Sequence, residues 1–359
     1  MEQALSELES VRTRPGMYIG DVRDGSGLVH MVWEVVANAL DEHLGGRCDR
    51  IAVEIREDGA ITVDDNGRGF PMHDVRGMPF VERALTRLHD SPTLDGHRPH
   101  THVGMWGLGL APINALSSSL VVEIFAKGRR HEQCFERGIA VTRLVDTGPT
   151  ERRGTRVTFL PDPTIFGDSL FDPGVIVRRL RELSWLLPGL SLEFADRRTY
   201  RFHETDGLQK FLRPVQAGTS KTLLINDNVG DIQIEVAARW HTYSWSRVES
   251  FANIERTTDG GTHVRGMHAG LIRGLRKTDP NACRGKKAKQ LREAVSEGLD
   301  AVVCVRLNNP TYDGPTKSIL ATPAVEKAVR DCVSNVFADF LQTEKGLLDH
   351  ILSALELYG

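Results

Sequence analysis

Four acidic or amide side chains, Glu34, Asn38, Asp41 and Glu42, recur at i, i+4, i+7 and i+8. That spacing puts them on one face of a helix. His30 lies four residues before Glu34, within hydrogen-bonding reach of its carboxylate. A carboxylate beside an amide oxygen offers hard donors. These suit Mg²⁺, which keeps several waters and takes few protein ligands. On that reading Asn38 holds the metal and Glu34 activates a water. Read alone, the same face also describes a solvated acidic helix.

A second group is Asp65-x-Gly67-x-Gly69, closed by Pro71. A buried carboxylate there accepts from an exocyclic amine such as that of adenine, and the glycines let backbone approach a ring. An ordinary tight turn has the same composition. A third is Gly104-Met105-Trp106-Gly107-Leu108-Gly109, which ends where a helix is expected to start. Glycines before a helix expose N–H groups and its positive dipole end, a ready phosphate site. The stretch lacks the Gly-Lys-Ser/Thr of a P-loop. Two smaller signals are Gly154-Thr155, where the hydroxyl can meet a base edge, and Pro315-Thr316-Lys317, where the ammonium can meet a terminal phosphate.

These residues need elements to hold them. Residues 28–44 read as a helix, with Met31, Val35 and Ala39, and Val32, Val36 and Leu40, at i+4 steps and Gly45-Gly46 as the stop. Residues 51–55 and 61–64 alternate as short strands, and residues 65–71 form a loop. A helix is expected over 81–89, a long loop over 90–109, a helix over 111–116, strands at 120–126 and 155–160, and an amphipathic helix over 175–186. Pro214 and Gly218 interrupt the pattern, so the expected domains are 1–214 and 215–359. The second has strands at 222–226, 232–240 and 301–307, a helix after Gly260-Gly261-Thr262, and a helical stretch over 323–357. Strands layered with helices in both halves predict an α+β fold.

Composition narrows the class. Apolar residues at 40% and charged residues at 26% describe a globular chain, and a net charge of −3 argues against a polyanion binder over its whole surface. No apolar run reaches a membrane-spanning length, and Met1–Ser10 is no secretory leader, so a cytoplasmic chain with no membrane partner is expected. The five cysteines form no CxxC pair, which points to reduced thiols rather than a disulfide framework or zinc site.

In order and spacing these groups resemble the GHKL ATPase superfamily. The flanking text is similar to the ATPase region of type II topoisomerase B subunits, that is, DNA gyrase B and the E subunit of topoisomerase IV. The stretches that carry the resemblance are Val11–Gly20, His30–Glu42, Asp65–Pro71, Ile113–Ser117, Arg179–Ser184, Gly260–His263, Glu297–Val303 and Thr316-Lys317.

The resemblance implies a GHKL (Bergerat) α/β sandwich followed by a ribosomal-S5-like transducer domain, binding ATP with Mg²⁺. By position, Glu34 is the general base, His30 orients it, and Asn38 is the Mg²⁺ ligand. Asp65 and Thr155 read adenine. Asp41, Gly67, Gly69 and Pro71 line the nucleotide. Gly104, Gly107, Leu108 and Gly109 belong to a lid over the phosphates. Lys317 contacts the γ-phosphate, and a nucleotide-dependent homodimer is expected.

Several positions depart from the family pattern. Val103-Gly104 stands where the family has two glycines, Trp106 where it has a histidine, and Pro315 where it has glutamine. Ala126 falls near a common arginine, and only Met1–Ser10 precedes Val11. His89, His97, His100 and His102 cluster in the lid, either as a metal site or as solvated side chains. No Toprim-type stretch follows the transducer. The expectation is therefore the ATPase part of a DNA topoisomerase, with DNA or an A-type subunit as possible partners. The alternatives are a stand-alone ATPase recruited to regulation, defence, drug resistance or biosynthesis, and a nucleotide switch that scarcely hydrolyses.

Overall fold

The helix that carries Glu34 and Asn38 runs Ser26–Leu44 in the structure, a computed structural model that describes residues 2–88, 109–167, 169, 172–243, 245–314 and 316–358. Its buried stripe includes Leu28, Met31, Val32, Val35, Val36, Ala39 and Leu40. Each large apolar side chain so buried contributes about 1.5–3 kcal/mol. The helix stops at Gly45, and Gly46 turns the chain away with a φ of +71°.

The chain divides into two compact units, Met1–Thr205 and Asp206–Gly359. In the first, a nine-stranded sheet runs in the order Thr199–Phe202, Ser191–Ala195, Arg50–Ile55, Ile61–Asp65, Gly154–Pro161, Ser117–Ala126, Arg129–Glu136 and Ile139–Ala140, with Val145–Pro149 also paired to Arg129–Glu136. Ile61–Asp65 lies well inside it and is buried along its length. It is antiparallel to Arg50–Ile55 on one side and Gly154–Pro161 on the other. Asp65 therefore ends an interior strand.

The expected helix over 81–89 is shorter, Phe80–Thr86. The expected loop over 90–109 lies outside the described residues except for Gly109. The strand Arg129–Glu136 was not expected. Its sequence is polar because cross-strand ion pairs stand where burial would, Arg130–Glu123 at 3.0 Å and Arg129–Asp146 at 2.7 Å. Only Gln133 and Phe135 of the strand are buried.

In the second unit a five-stranded sheet runs Leu223–Val229, Ile232–Trp240, Leu299–Arg306, Arg247–Ala252 and Glu255–Arg256. Leu299–Arg306, buried over all but its last residue, is its middle. The helices Thr262–Thr278 and Pro323–Thr343 pack through Gly266, Gly270 and Gly274. A Cβ at these positions would meet the Glu326 carbonyl, Val333 and Phe337 at 2.6, 2.7 and 2.9 Å. The C-terminal helical stretch breaks at Glu344 into Pro323–Thr343 and Lys345–Leu357.

The turn Gly207–Phe211 falls in the second unit. Phe211 packs on Phe251 at 5.1 Å between ring centroids, and the Arg213 N–H donates to buried Asp300 at 2.7 Å. These contacts put the division before Gly207 rather than after Pro214.

Candidate functional site

Asp65 is buried, and its Oδ1 accepts the Gly67 N–H at 2.7 Å. Burial pushes its carboxyl up to about 7, although the backbone N–H groups of Gly67 and Thr155 pull the other way. Asp64 and Glu42 add negative charge nearby and push in the same direction as burial. Asp65 and Thr155, distant in sequence, are thus brought together at one end of adjacent strands. A buried carboxylate with two backbone donors already near it is an acceptor poised for one more donor.

The glycines serve this junction. Gly154 has a φ of +111°, and a Cβ there would overlap the Asp65 carbonyl. Gly69 has a φ of +79° and would press a Cβ to 3.1 Å from the Gly154 carbonyl. A Cβ on Gly67 would lie 2.8 Å from Asp65 Oδ1 and 3.1 Å from the Glu42 side chain. These three glycines let turn, strand and helix meet, which adds a structural duty to the ligand-facing one expected from sequence. Phe70 and half-buried Pro71 continue the turn, with the Phe70 ring 6.1 Å from that of Phe80.

On the helix, Glu34 is half-buried and Asn38 is exposed. Asn38 Nδ2 donates to the Glu34 carbonyl at 3.0 Å. With its donor end committed to the helix, the amide presents its oxygen as the group that can meet a cation. Asp41 is half-buried one turn further on. His30 is half-buried, and burial pulls it below its ordinary value. Its ring interacts with the Ile19 backbone and with the charge of Asp24, contacts the i, i+4 spacing does not show.

Glu42 has a role that spacing alone did not reveal. Its carboxylate accepts the Arg68 N–H at 3.3 Å, Arg68 Nε at 3.1 Å and Arg47 Nε at 3.1 Å. It ties the end of the helix to the Asp65–Gly69 turn. The signal in the sequence was Arg68 between the two glycines. On the other face of the same strand, Asp64 meets Arg50 at 2.5 Å, Arg152 at 2.5 Å and Arg156 at 2.8 Å. Burial opposes its ionisation, yet the three arginines hold its carboxyl below its ordinary value. Arg152 also stacks 4.3 Å over the Phe125 ring.

Gly109 has a φ of +68° and leads into Ala111–Ala115. Buried Asn114 donates to the Leu85 carbonyl at 2.9 Å and so fixes that helix on Phe80–Thr86. Gly104, Gly107 and Leu108 lie outside the described residues, as do Val103, Trp106, Pro315, His89, His97, His100 and His102. Among the described residues, no group of three or more His, Cys, Asp or Glu converges as a metal site, and no helix is long and apolar enough to cross a membrane. A cavity of about 1200 Å³ lies at the opposite end of the Ile61–Asp65 strand, beside Asp58, Gly59 and Ile61, and contains none of the expected site residues. Lys317 belongs to the second unit, where its Nζ lies 3.9 Å from Glu255 Oε1.

The first unit matches a family model described as Histidine kinase-, DNA gyrase B-, and HSP90-like ATPase over residues 23–165. Fold and site together thus define a GHKL-type ATPase. The second unit matches the model DNA gyrase B over residues 205–356. The DNA gyrase B protein of Thermotoga maritima is 36% identical across 98% of this chain, and that of Synechocystis sp. is 37% identical across 98%. The chain spans 58% and 34% of those two relatives. The crystal structure of the 43K ATPase domain of Thermus thermophilus gyrase B in complex with an aminocoumarin superposes with a TM-score of 0.81 and 33% identity, covering 98% of this chain and 94% of that one. The chain belongs to the DNA gyrase B family, and it is an ATPase of the type II topoisomerase B-subunit kind.

Proposed function

We propose that this chain binds Mg²⁺–ATP and hydrolyses it to drive closure of a homodimer, as the ATPase part of a type II DNA topoisomerase of the cytoplasm. The observation that carries the nucleotide reading is the buried Asp65 carboxylate, flanked by the backbone of Gly67 and Thr155. Adenine's exocyclic amine donates to Asp65, and the Thr155 hydroxyl meets the base edge. A hydrogen bond to a charged acceptor is worth about 1.5–3 kcal/mol. Gly67, Gly69 and Pro71 line the base side.

Glu34 is the group that takes a proton from the attacking water. As the water oxygen bonds to the γ-phosphorus, the bond to the β-phosphate oxygen breaks, leaving ADP and phosphate. His30, kept neutral by burial, positions the start of the helix and with it Glu34. The donor set fits Mg²⁺, since Asn38 has its amide nitrogen engaged and its oxygen left to ligate. Asn38 would hold the ion, with Asp41 nearby, and the ion would neutralise charge on the phosphates. Gly104, Gly107, Leu108 and Gly109 are assigned to the lid, and Lys317 to the γ-phosphate.

DNA and an A-type subunit are the partners this reading implies. The altered lid, with Val103 and Trp106, favours a second reading, an ATPase recruited outside strand passage. Sizing with and without a non-hydrolysable ATP analogue tests the dimer. The length of the natural open reading frame then separates the two readings. A frame that continues into a Toprim-type stretch supports the topoisomerase, and one that ends at Gly359 supports the recruited ATPase.

A further inference from the structure

Lys317 stands in an excursion whose arms, residues 311–314 and 316–321, pair with each other. The Asp313 N–H donates to the Ile319 carbonyl at 3.0 Å and the Ala321 N–H to the Thr311 carbonyl at 2.8 Å. The returning arm is pinned to the glycine pair before Thr262–Thr278. Leu320 N–H donates to Gly260 at 3.0 Å, Thr262 N–H donates to Leu320 at 2.9 Å, and Asp259 N–H donates to Ser318 at 3.0 Å. Gly261 has a φ of +137°, and a Cβ there would overlap Leu320. Lys317 itself has a φ of +55°, a left-handed conformation that a residue with a Cβ adopts only when its surroundings impose it. The lysine is thus set by backbone on both sides.

A charged side chain reaches it from the adjacent hairpin of Arg247–Ala252 and Glu255–Arg256. Glu255 Oε1 lies 3.9 Å from Lys317 Nζ, and the two side chains are only 29% and 19% exposed. The Tyr312 hydroxyl donates to the Ala252 carbonyl at 3.4 Å, which ties the outgoing arm to the same hairpin. Backbone and counter-ion therefore come from one rigid assembly.

We infer that Glu255 is a positioning residue that holds the Lys317 ammonium in competition with the terminal phosphate of a nucleoside triphosphate. The inference rests on Lys317 reading the γ-phosphate. A triphosphate must draw the ammonium from Glu255, whereas a diphosphate offers no group to that competition. Glu255 thereby raises the concentration of triphosphate needed to engage the second unit and leaves diphosphate binding alone. A partly exposed ion pair of this kind shifts an equilibrium about two- to fivefold.

The test is calorimetry on the whole chain with a non-hydrolysable ATP analogue and with ADP, for the parent, Glu255→Gln, Lys317→Ala and the double variant. Glu255→Gln is expected to tighten analogue binding about two- to fivefold, to leave ADP unchanged, and to have no effect once Lys317 is alanine. Glu255→Asp keeps the charge on a shorter stem, is expected to fall between, and supplies the same comparison where the glutamine variant does not fold. An equal effect on both nucleotides, or an effect that survives Lys317→Ala, overturns the inference. A Lys317→Ala variant that keeps the parent's analogue-to-ADP ratio overturns the γ-phosphate reading and the inference together. A normal Lys317 response with a silent Glu255→Gln overturns the inference alone.

Discussion

Asp64 and Asp65 are neighbours on one strand whose carboxyls are driven in opposite directions. Three arginines keep Asp64 ionised. Burial pushes Asp65 up to about 7. Alternation along a strand sends the two side chains to opposite faces of the sheet. One closes a surface network, and the other is left as a costly buried acid that a donor can relieve. Such divergence between adjacent carboxyls marks Asp65 as the candidate functional group of the two.

Asp65 has a pH signature in the nucleotide-free chain. Its folded value lies above its ordinary 3.8, so its stabilising contribution is complete below that value and is lost as pH rises to about 7. Asp65→Asn is therefore expected to unfold at a higher denaturant concentration than the parent at pH 8, by about 1–3 kcal/mol, with the gain vanishing near pH 4. The same variant is expected to lose nucleotide affinity. Urea titrations at the two pH values read the first effect and calorimetry the second.

If adenine's amine relieves Asp65, the bound carboxyl ionises. Nucleotide binding at pH 6.5 should then release roughly half a proton or more. Calorimetry in two buffers of different ionisation enthalpy counts it. Identical heats in the two buffers would remove Asp65 from the base-reading role.

Glu42 couples helix to turn, so its loss should be felt at the nucleotide. Glu42→Ala removes the bonds from Arg68 and Arg47. Nucleotide affinity is expected to fall roughly five- to tenfold, with a stability loss of about 1–2 kcal/mol. Binding and unfolding measured on one preparation distinguish this from a simple surface pair, which would leave affinity intact.

Gly154→Ala should be among the costliest single changes in the first unit, because its Cβ has no space and its φ is +111°. A loss of more than about 3 kcal/mol is expected. Gly59→Ala, with a φ of +82° and its nearest neighbour 3.9 Å away, is the control and should cost about 1 kcal/mol. Thermal unfolding of the pair checks the difference.

The acidic helix was legible because its buried residues recur every four positions, and the structure moves its start by only two residues, to Ser26. Asp65 and Thr155 were legible only through motif order, since sheet pairing across a long separation brings them together. The partner of Glu42 was legible only as a basic residue between the two glycines of the turn. Helical spacing assigned Glu42 to the acidic face, whereas Arg68, 26 residues away, claims it. The strand Arg129–Glu136 escaped because ion pairs replace the apolar alternation that marks a strand. The glycines at 266, 270 and 274 carried a helix-packing signal in plain view, one glycine per turn, that only the facing helix explains.

Phosphate release by the parent chain and by Glu34→Ala, with binding of a non-hydrolysable analogue measured alongside, tests the central claim most directly. A base that takes the water's proton contributes about 10²–10⁴-fold. Turnover is therefore expected to fall by that order while analogue affinity stays within about threefold. Turnover at the parental rate in Glu34→Ala, or no nucleotide binding by the parent, would contradict the account.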